Sequence, residues 1–545
     1  MDLLPLSCKK TPINFFGEPI GSLFLNMNSI GRQIITTTYR EITRQNLFEV
    51  VEQALVIYRE NAADCDFLLN YDAGVQPLQR TSEKKVMDWI DQEAVDNVAH
   101  EISDFWLGHG FSVPFTYVQR GDNGVDKADG IRNLNNYFYA AGSSKNQQRM
   151  GNFIVKCGHC YALDEINKEW EEGDSYFTRN ILDPRNAFVV RSLAYSDLRV
   201  VLGVSLSIDS ENNIYATAYT KDNVFFIYGE NVTTKTVQNT EVVNNGYVWT
   251  HLVRSGEKNP MGKIPITELY WTPDRTGVFE NQIDALDNIN LLVSDISNGF
   301  EQNIQAVWWA NNVEFPTTTI EDEEGKEIEV VVKPKNGDWV NTASTKDGGN
   351  PSIQPLTIDY HLEDMQKSYT EQRQLALQRG HVPQRNETSG GSSGVAMDSA
   401  SGWADAELVA SARNEVLKGC LMEELRVVLA VLRESTDIKV TDPVLTIRYS
   451  DVEPNVAKPK NSDVASRTNA ICTLIKHGFD LEDILSTIPL FADTTQTVSR
   501  SGEGVKRYQD ANVFSDVGEL DKKPNSDRIM QDGSDNESNS PFLNS

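Results

Sequence analysis

The sequence predicts an α+β fold, and three observations carry that prediction. From Phe279 to Ile304 apolar residues step three or four positions at a time (Ile283, Leu286, Ile289, Val293, Ile296, Phe300, Ile304), the period of an amphipathic helix. Between Gly151 and Trp271 the period falls to two, as in strands with one covered face. After a short mixed segment the helical period returns from Ile358 to Arg379 and from Ala396 to Glu434. Strands gathered in one stretch and long helices in others give α+β segregation rather than alternating βαβ units.

In chain order, the spacing predicts a helix over Thr38 to Asn61, with Leu47, Val50, Val51, Ala54, Leu55 and Tyr58 on one face, and a loop at Gly74 and Pro77. A second long helix is predicted from Ser82 to Leu107, capped by Ser82 and stopped by Gly108 and Gly110, and a third from Ile131 to Met150. Strands are predicted at Phe153 to Leu163, Ala187 to Val190, Arg199 to Ile208, Ile214 to Tyr219, Val224 to Tyr228, Tyr247 to Val253 and Pro265 to Trp271. Asp222-Asn223 and Glu211 to Asn213 supply turn chemistry between them.

Val307 to Pro355 holds Trp308, Trp309, the acidic loop EDEEGKE and a strand at Glu327 to Val332, too little chain to bury a core alone. Gly380 to Gly394, GHVPQRNETSGGSSG, reads as a flexible loop between two helices. In the last long helix Leu417, Leu421, Leu425, Val428 and Leu432 form the inward stripe. Strands are predicted around Lys439 to Tyr449, helices from Ser462 to Leu490, and a disordered acidic tail at the end.

Composition sets the outer limits. The 545 residues carry a formal net charge of -29, which argues against a nucleic-acid binder that works by neutralising phosphates. Hydrophobic content of 39% is that of a globular protein, and no apolar run is long enough for a transmembrane helix. The N-terminus lacks a secretory pattern, so an intracellular product is expected. Six cysteines in a chain of this size do not make a disulfide scaffold.

The chemistry-bearing motifs fall short of their templates. Cys157 and Cys160 form a C-x-x-C around His159, without a second pair at zinc-site spacing, and the flanking residues favour a buried strand pair. GEKNPMGKI, Gly256 to Ile264, misses a phosphate loop because five residues separate its glycines and Ile264 stands where Ser or Thr must hold magnesium. Adjacent Glu171 and Glu172 have no readable glycosidase geometry, and Asp122, Asp126 and Asp129 miss the alternate-position spacing of a calcium loop. The seven histidines fit no hydrolase pattern. No catalytic residue, metal or cofactor is expected.

The helix from Phe279 to Ile304 is the most unusual element. At 1.5 Å per residue it is a rod of roughly 40 Å. Its polar side carries Glu280, Asp284, Asp287, Asp295 and Glu301, and no Lys or Arg occurs between Thr276 and Ala310. A helix exposed on a lone domain would ordinarily mix signs three or four residues apart. The rod presents a negative wall, against which Lys367, Arg373 and Arg379 of the return helix are expected to lie.

Two segments resemble the portal proteins of tailed bacteriophages, of the siphovirus type: NPMGKIPITELYWTPDRTGVFENQIDALDNINLLVSDISN, Asn259 to Asn298, and SGGSSGVAMDSASGWADAEL, Ser389 to Leu408. Weaker likeness extends over AGVQPLQR, FWLGHGFSVPFTYVQ and IRNLNNYF, while CGHCY departs from the family's glycine-rich turn. The resemblance implies a wing (1–275), a stem helix (276–304), a clip (305–357), a second stem helix (358–380), a tunnel loop (381–395), a long wing helix (396–434), a crown (435–509) and a tail (510–545). It further implies a dodecameric ring at a capsid vertex, assembled in the host cytoplasm, through which double-stranded DNA is packaged and ejected. The implied partners are the terminase large subunit, a head-completion or adaptor protein, and capsid and scaffolding proteins, with no membrane. Glu280, Asp284, Asp287, Asp295 and Glu301 would line the channel, and Gln384, Arg385 and Asn386 of the tunnel loop would touch the DNA backbone. Such a wall repels phosphate, so DNA slides without locking. A non-conducting head or neck component is the alternative, and an acidic hydrolase the remote one.

Overall fold

The computed structural model describes residues 30–77, 92–120, 127–233, 245–254, 256–304, strand segments between 307 and 356, 362–384, 402–456, 464–478 and 484. The chain is mixed helix and sheet, as expected, and separates into two compact units. One comprises 1–31, 63–105 and 276–409; the other comprises 32–62, 106–275 and 410–545.

In chain order the elements begin with β1 (Thr36–Thr37), α1 (Leu47–Asp72), α2 (Val98–Phe111), β2 (Thr116–Gln119), α3 (Ala128–Ala140) and α4 (Ser143–Cys157). Strands β3 (His159–Ile166), β4 (Phe177–Leu182), β5 (Ala187–Ser192), β6 (Val200–Ile208), β7 (Ile214–Tyr219), β8 (Asn223–Thr233), β9 (Asn245–His251), β10 (Glu257–Lys258) and β11 (Ile266–Tyr270) follow. A 3-10 turn at Glu280–Gln282 opens α5 (Ile283–Ile304). Next come β12 (Val307–Asn311), β13 (Val313–Glu314), β14 (Thr317–Glu321), β15 (Glu327–Val331), β16 (Ala343–Ser344) and β17 (Ser352–Leu356). The chain continues with α6 (Leu362–Arg379), α7 (Trp403–Glu434), β18 (Val452–Asn455) and α8 (Val464–Lys476).

The sheet-bearing unit holds the order β1-β5-β6-β7-β8-β10, with β9 also on β8; β1 pairs with β5 in parallel and the other pairs are antiparallel. A three-stranded sheet β11-β3-β4 and the pair β2-β18 complete it. The buried stripe of α7 is the expected one, since Leu417, Leu421, Leu425, Val428 and Leu432 are all buried. From Leu425 onward it meets Ile131, Leu134 and Phe138 of α3 and Phe177 of β4 in one core. Five such side chains contribute on the order of 10 kcal/mol of gross burial energy, before conformational entropy is set against it.

Several elements depart from the sequence expectation for local reasons. The first helix starts at Leu47 rather than Thr38, because Asn46 closes the preceding turn by accepting the Thr43 N–H (2.7 Å) and donating to the Glu41 carbonyl (3.0 Å). The helix predicted over Ile131 to Met150 is two, divided by Gly142 at φ +76°. Phe153 to Cys157 is helical, not a strand; Gly158 at φ +83° ends α4, and only then does β3 begin. The strands predicted around Lys439 to Tyr449 are 3-10 turns, with Asp442 capping the first through the Val444 N–H. Strand β4 was not anticipated.

GEKNPMGKI acts as a clasp. Asn259 donates to the Thr220 and Lys263 carbonyls (2.8 and 2.7 Å) and accepts from Met261 N–H, while its own N–H reaches the Asp222 carbonyl (2.9 Å). The loop therefore holds the β7–β8 turn. In the other unit α5 packs on α6, and the strands pair as β12-β17, β13-β16 and β14-β15.

Candidate functional site

The acidic helix α5 is amphipathic in an unexpected way. Leu286 and Ile289 are buried as predicted, but the buried line then continues through Asn290, Ser294 and Asn298. Val293 and Ile296 are half-buried, and Phe300 is 59% exposed. The polar line faces the segment Gln92 to Asp96, which is extended rather than helical as the sequence predicted.

Three rungs join them. Asn298 accepts the Gln92 N–H (2.7 Å) and donates to the Gln92 carbonyl (3.2 Å). Ser294 accepts the Ala94 N–H (3.0 Å) and donates to the Ala94 carbonyl (3.1 Å). Asn290 accepts the Asp96 N–H (2.9 Å) and donates to Gln76 Oε1 (2.5 Å). The geometry follows from two repeat lengths. Four residues of helix advance about 6.0 Å and two residues of extended chain about 6.6 Å, so every fourth helical side chain meets every second main-chain unit. The strap thus pairs its half-buried backbone with side chains where a sheet would use another strand. Asn97 then starts α2 as its cap, its Oδ1 accepting the His100 N–H.

Asp96 also ties the strap to α6. Its Oδ2 accepts from the Tyr369 hydroxyl (2.9 Å) and Arg373 Nε (3.1 Å), and Arg373 Nη2 reaches Glu101 at 2.5 Å. Arg373 is therefore directed to the strap and α2, not to the acids of α5 as the sequence suggested. Lys367 does share a groove of about 930 Å³ with Ile296, Phe300, Glu301, Glu363 and Thr370.

The five expected acids occupy different environments. Glu280 is 4% exposed and spans the Gly31 and Gly277 N–H groups, both at 2.9 Å, so it fixes the entry to α5 instead of standing on an exposed face. Asp287 is half-buried, accepts from the Tyr71 hydroxyl at 2.8 Å, and has its pKa raised by burial. Glu301 accepts from Gln92 Nε2 at 2.8 Å. Asp284 and Asp295 are exposed on the outer side. In the loop, Gln384 donates to the Gln374 carbonyl at 2.8 Å, while Arg385 and Asn386 lie outside the described residues. The ladder itself was missed, although Asn290, Ser294 and Asn298 at i, i+4 and i+8, beside the apolar stripe of the helix, were a readable signal.

Among the described residues no group of three or more His, Cys, Asp or Glu side chains is arranged to hold a metal ion. Cys157 ends α4, Cys160 lies on β3, and both are buried and in the thiol form. Among the described residues, no helix is long and apolar enough to cross a membrane.

A family model described as phage portal protein, SPP1 Gp6-like, matches residues 68–471. Among solved structures the chain is similar to one from the virion of a native gene transfer agent particle, with 12% identity, 78% of this chain and 94% of that chain covered, and a TM-score of 0.34. No curated protein matches.

Proposed function

The chain belongs to the SPP1 Gp6-like family of phage portal proteins, and from that premise we propose that its copies form a ring whose bore passes double-stranded DNA into and out of the capsid. It is a virion protein of the DNA-packaging vertex. The observation that carries the reading is the base-free outer face of α5, where Asp284 and Asp295 are exposed with no Lys or Arg between Thr276 and Ala310. Repeated around a bore, such a face repels phosphate and gives no lattice of cations on which DNA could stall.

Within this reading the wall is narrower than the five acids suggested by the sequence. Asp284, Asp295 and Glu301 line it, while Glu280 and Asp287 brace the helix that carries them. The division into wing, stem, clip, tunnel loop and crown, the count of twelve subunits, and the loop contacts of Gln384, Arg385 and Asn386 are parts of the same proposal. So are docking of the terminase large subunit and a head-completion protein, assembly with scaffolding and capsid proteins, and the absence of intrinsic enzyme activity.

Negative-stain electron microscopy of the purified chain tests the reading. Rings with a central opening are expected, and solid particles or monomers at all concentrations would overturn it.

A further inference from the structure

Four arginines of the sheet-bearing unit that are buried or half-buried are answered by carboxylates of the same chain. Arg179 meets Glu424 through two bonds of 2.6 and 2.9 Å, Glu268 serves both Arg191 (2.8 Å) and Arg275 (2.5 and 3.0 Å), and Arg185 pairs with Asp183. Arg413 on α7 has no such partner among the described residues. Its guanidinium lies 4.5 Å from the ring centroid of Trp106 and 5.6 Å from that of Trp271, and Nη1 is buried without a hydrogen bond. Desolvation holds its pKa down to about 10.

The two tryptophan faces stabilise the positive charge and accept none of its N–H groups in the plane of the fork. Arg413 is only half-buried, so part of the side chain still reaches the surface, and its helix neighbour Ala412 is small and exposed. The guanidinium lies against both indoles, and its Nε and Nη2 edge, unlike the buried Nη1, is left for two parallel bonds to a carboxylate. A free anion approaching it is opposed by the field of a chain with charge -29. A carboxylate that arrives as part of an assembling subunit is held at the contact by the rest of the interface, and each copy carries 79 acidic residues against 50 basic ones.

Resting on the ring reading above, we propose that Arg413 is an unfinished contact, completed by a carboxylate of a second copy of this chain. The indoles of Trp106 and Trp271 orient the fork, and the neighbouring subunit supplies its acceptor.

The test compares full-length wild type with Arg413→Gln and Arg413→Lys by sedimentation velocity across concentration, and by thermal melting below the assembly range. In Arg413→Gln the assembly midpoint is expected to rise on the order of tenfold or more, with Arg413→Lys between it and wild type. The melting temperature of unassembled Arg413→Gln is expected to equal or exceed that of wild type, because an unanswered buried cation has been removed. Added salt should weaken wild-type assembly more than that of Arg413→Gln. Equal assembly of Arg413→Gln and wild type overturns the inference and leaves the ring reading intact. A melting temperature that falls in Arg413→Gln in step with assembly also overturns it, by making Arg413 a staple between the tryptophans. Inorganic phosphate that raises the melting temperature of unassembled wild type but not of Arg413→Gln assigns the site to a free anion instead. Wild type that never assembles removes both readings together.

Discussion

Ser294 holds Ala94 by both of its backbone polar groups, taking the N–H at 3.0 Å and giving a proton to the carbonyl at 3.1 Å. One hydroxyl thereby does for both backbone polar groups of a half-buried residue what a neighbouring strand does in a sheet. The acidic helix owes its seat in this unit to such rungs as well as to the buried Leu286 and Ile289, and each rung can be removed separately.

Replacing Ser294 by Ala leaves an N–H and a carbonyl without partners beside a buried position. A loss of roughly 2–4 kcal/mol is expected, since each unsatisfied group costs about 1–3 kcal/mol and the site can partly relax. Amide hydrogen exchange at Ala94 and Asp96 is expected to accelerate, measured by mass spectrometry on strap peptides. Unchanged protection would show that the strap is held by something else.

The fully buried Asp164 has neither carboxylate oxygen hydrogen-bonded. Burial raises its pKa well above the usual range, and the charge of Glu424 adds to this against the opposing effect of Arg179. A group raised in the folded state contributes stability that is present below its unfolded pKa and is lost as pH rises toward the folded one. Asp164→Asn has no such loss. Its advantage over wild type in urea denaturation is expected to grow between about pH 4 and pH 7, and a gap independent of pH would refute the assignment.

Glu268 is the shared partner of Arg191 and Arg275. Burial alone would raise its pKa, but the Arg275 hydrogen bond and the charges of both arginines prevail and bring it to about 2. Its contribution is complete above the unfolded value and is lost as pH falls toward about 2. Glu268→Gln leaves two buried guanidiniums unanswered, and a destabilisation of about 3–5 kcal/mol is expected by chemical denaturation at pH 7. Over the same acid range the variant should show a flatter decline than wild type.

Asp284 is the acid on which the electrostatic account of the bore can be tested cleanly, because it is exposed, whereas Asp287 is tied to Tyr71. Asp284→Lys is expected to preserve the melting temperature and to slow DNA packaging in vitro more at 0.01 M than at 0.15 M salt, where screening falls within about 8 Å. Equal slowing at the two salt concentrations would leave the repulsive wall without support.

Much of this architecture is written in local periodicity. The stripe from Leu417 to Leu432 and the alternation in β5 to β8 are set by residues near in sequence, so pattern alone locates them. Gln92 to Asp96 could not be read that way. The stretch from Ser82 to Leu107 has a helical rhythm, which Val98 to Leu107 keeps; residues 82–91 lie outside the described residues, and from Gln92 to Asp96 what overrides it is a set of side chains about 200 positions later, on a helix read only for its apolar and acidic members. Glu280 and Arg373 failed for the same reason: charge and spacing gave their types, whereas the distant backbone of Gly31 and the carboxylate of Asp96 decided their orientation. The turn at Gly158, which converts Phe153 to Cys157 from expected strand to helix end, was in contrast a local signal present in the sequence.

The strap between Gln92 and Asp96 works like a zip with a fixed tooth spacing. Its outward teeth, Glu93 and Val95, are exposed and free to drift or to carry a fluorophore. Insertion of a single residue among them would put the teeth on one side of it out of step with Asn290, Ser294 and Asn298, so the segment has latitude in spelling but none in length.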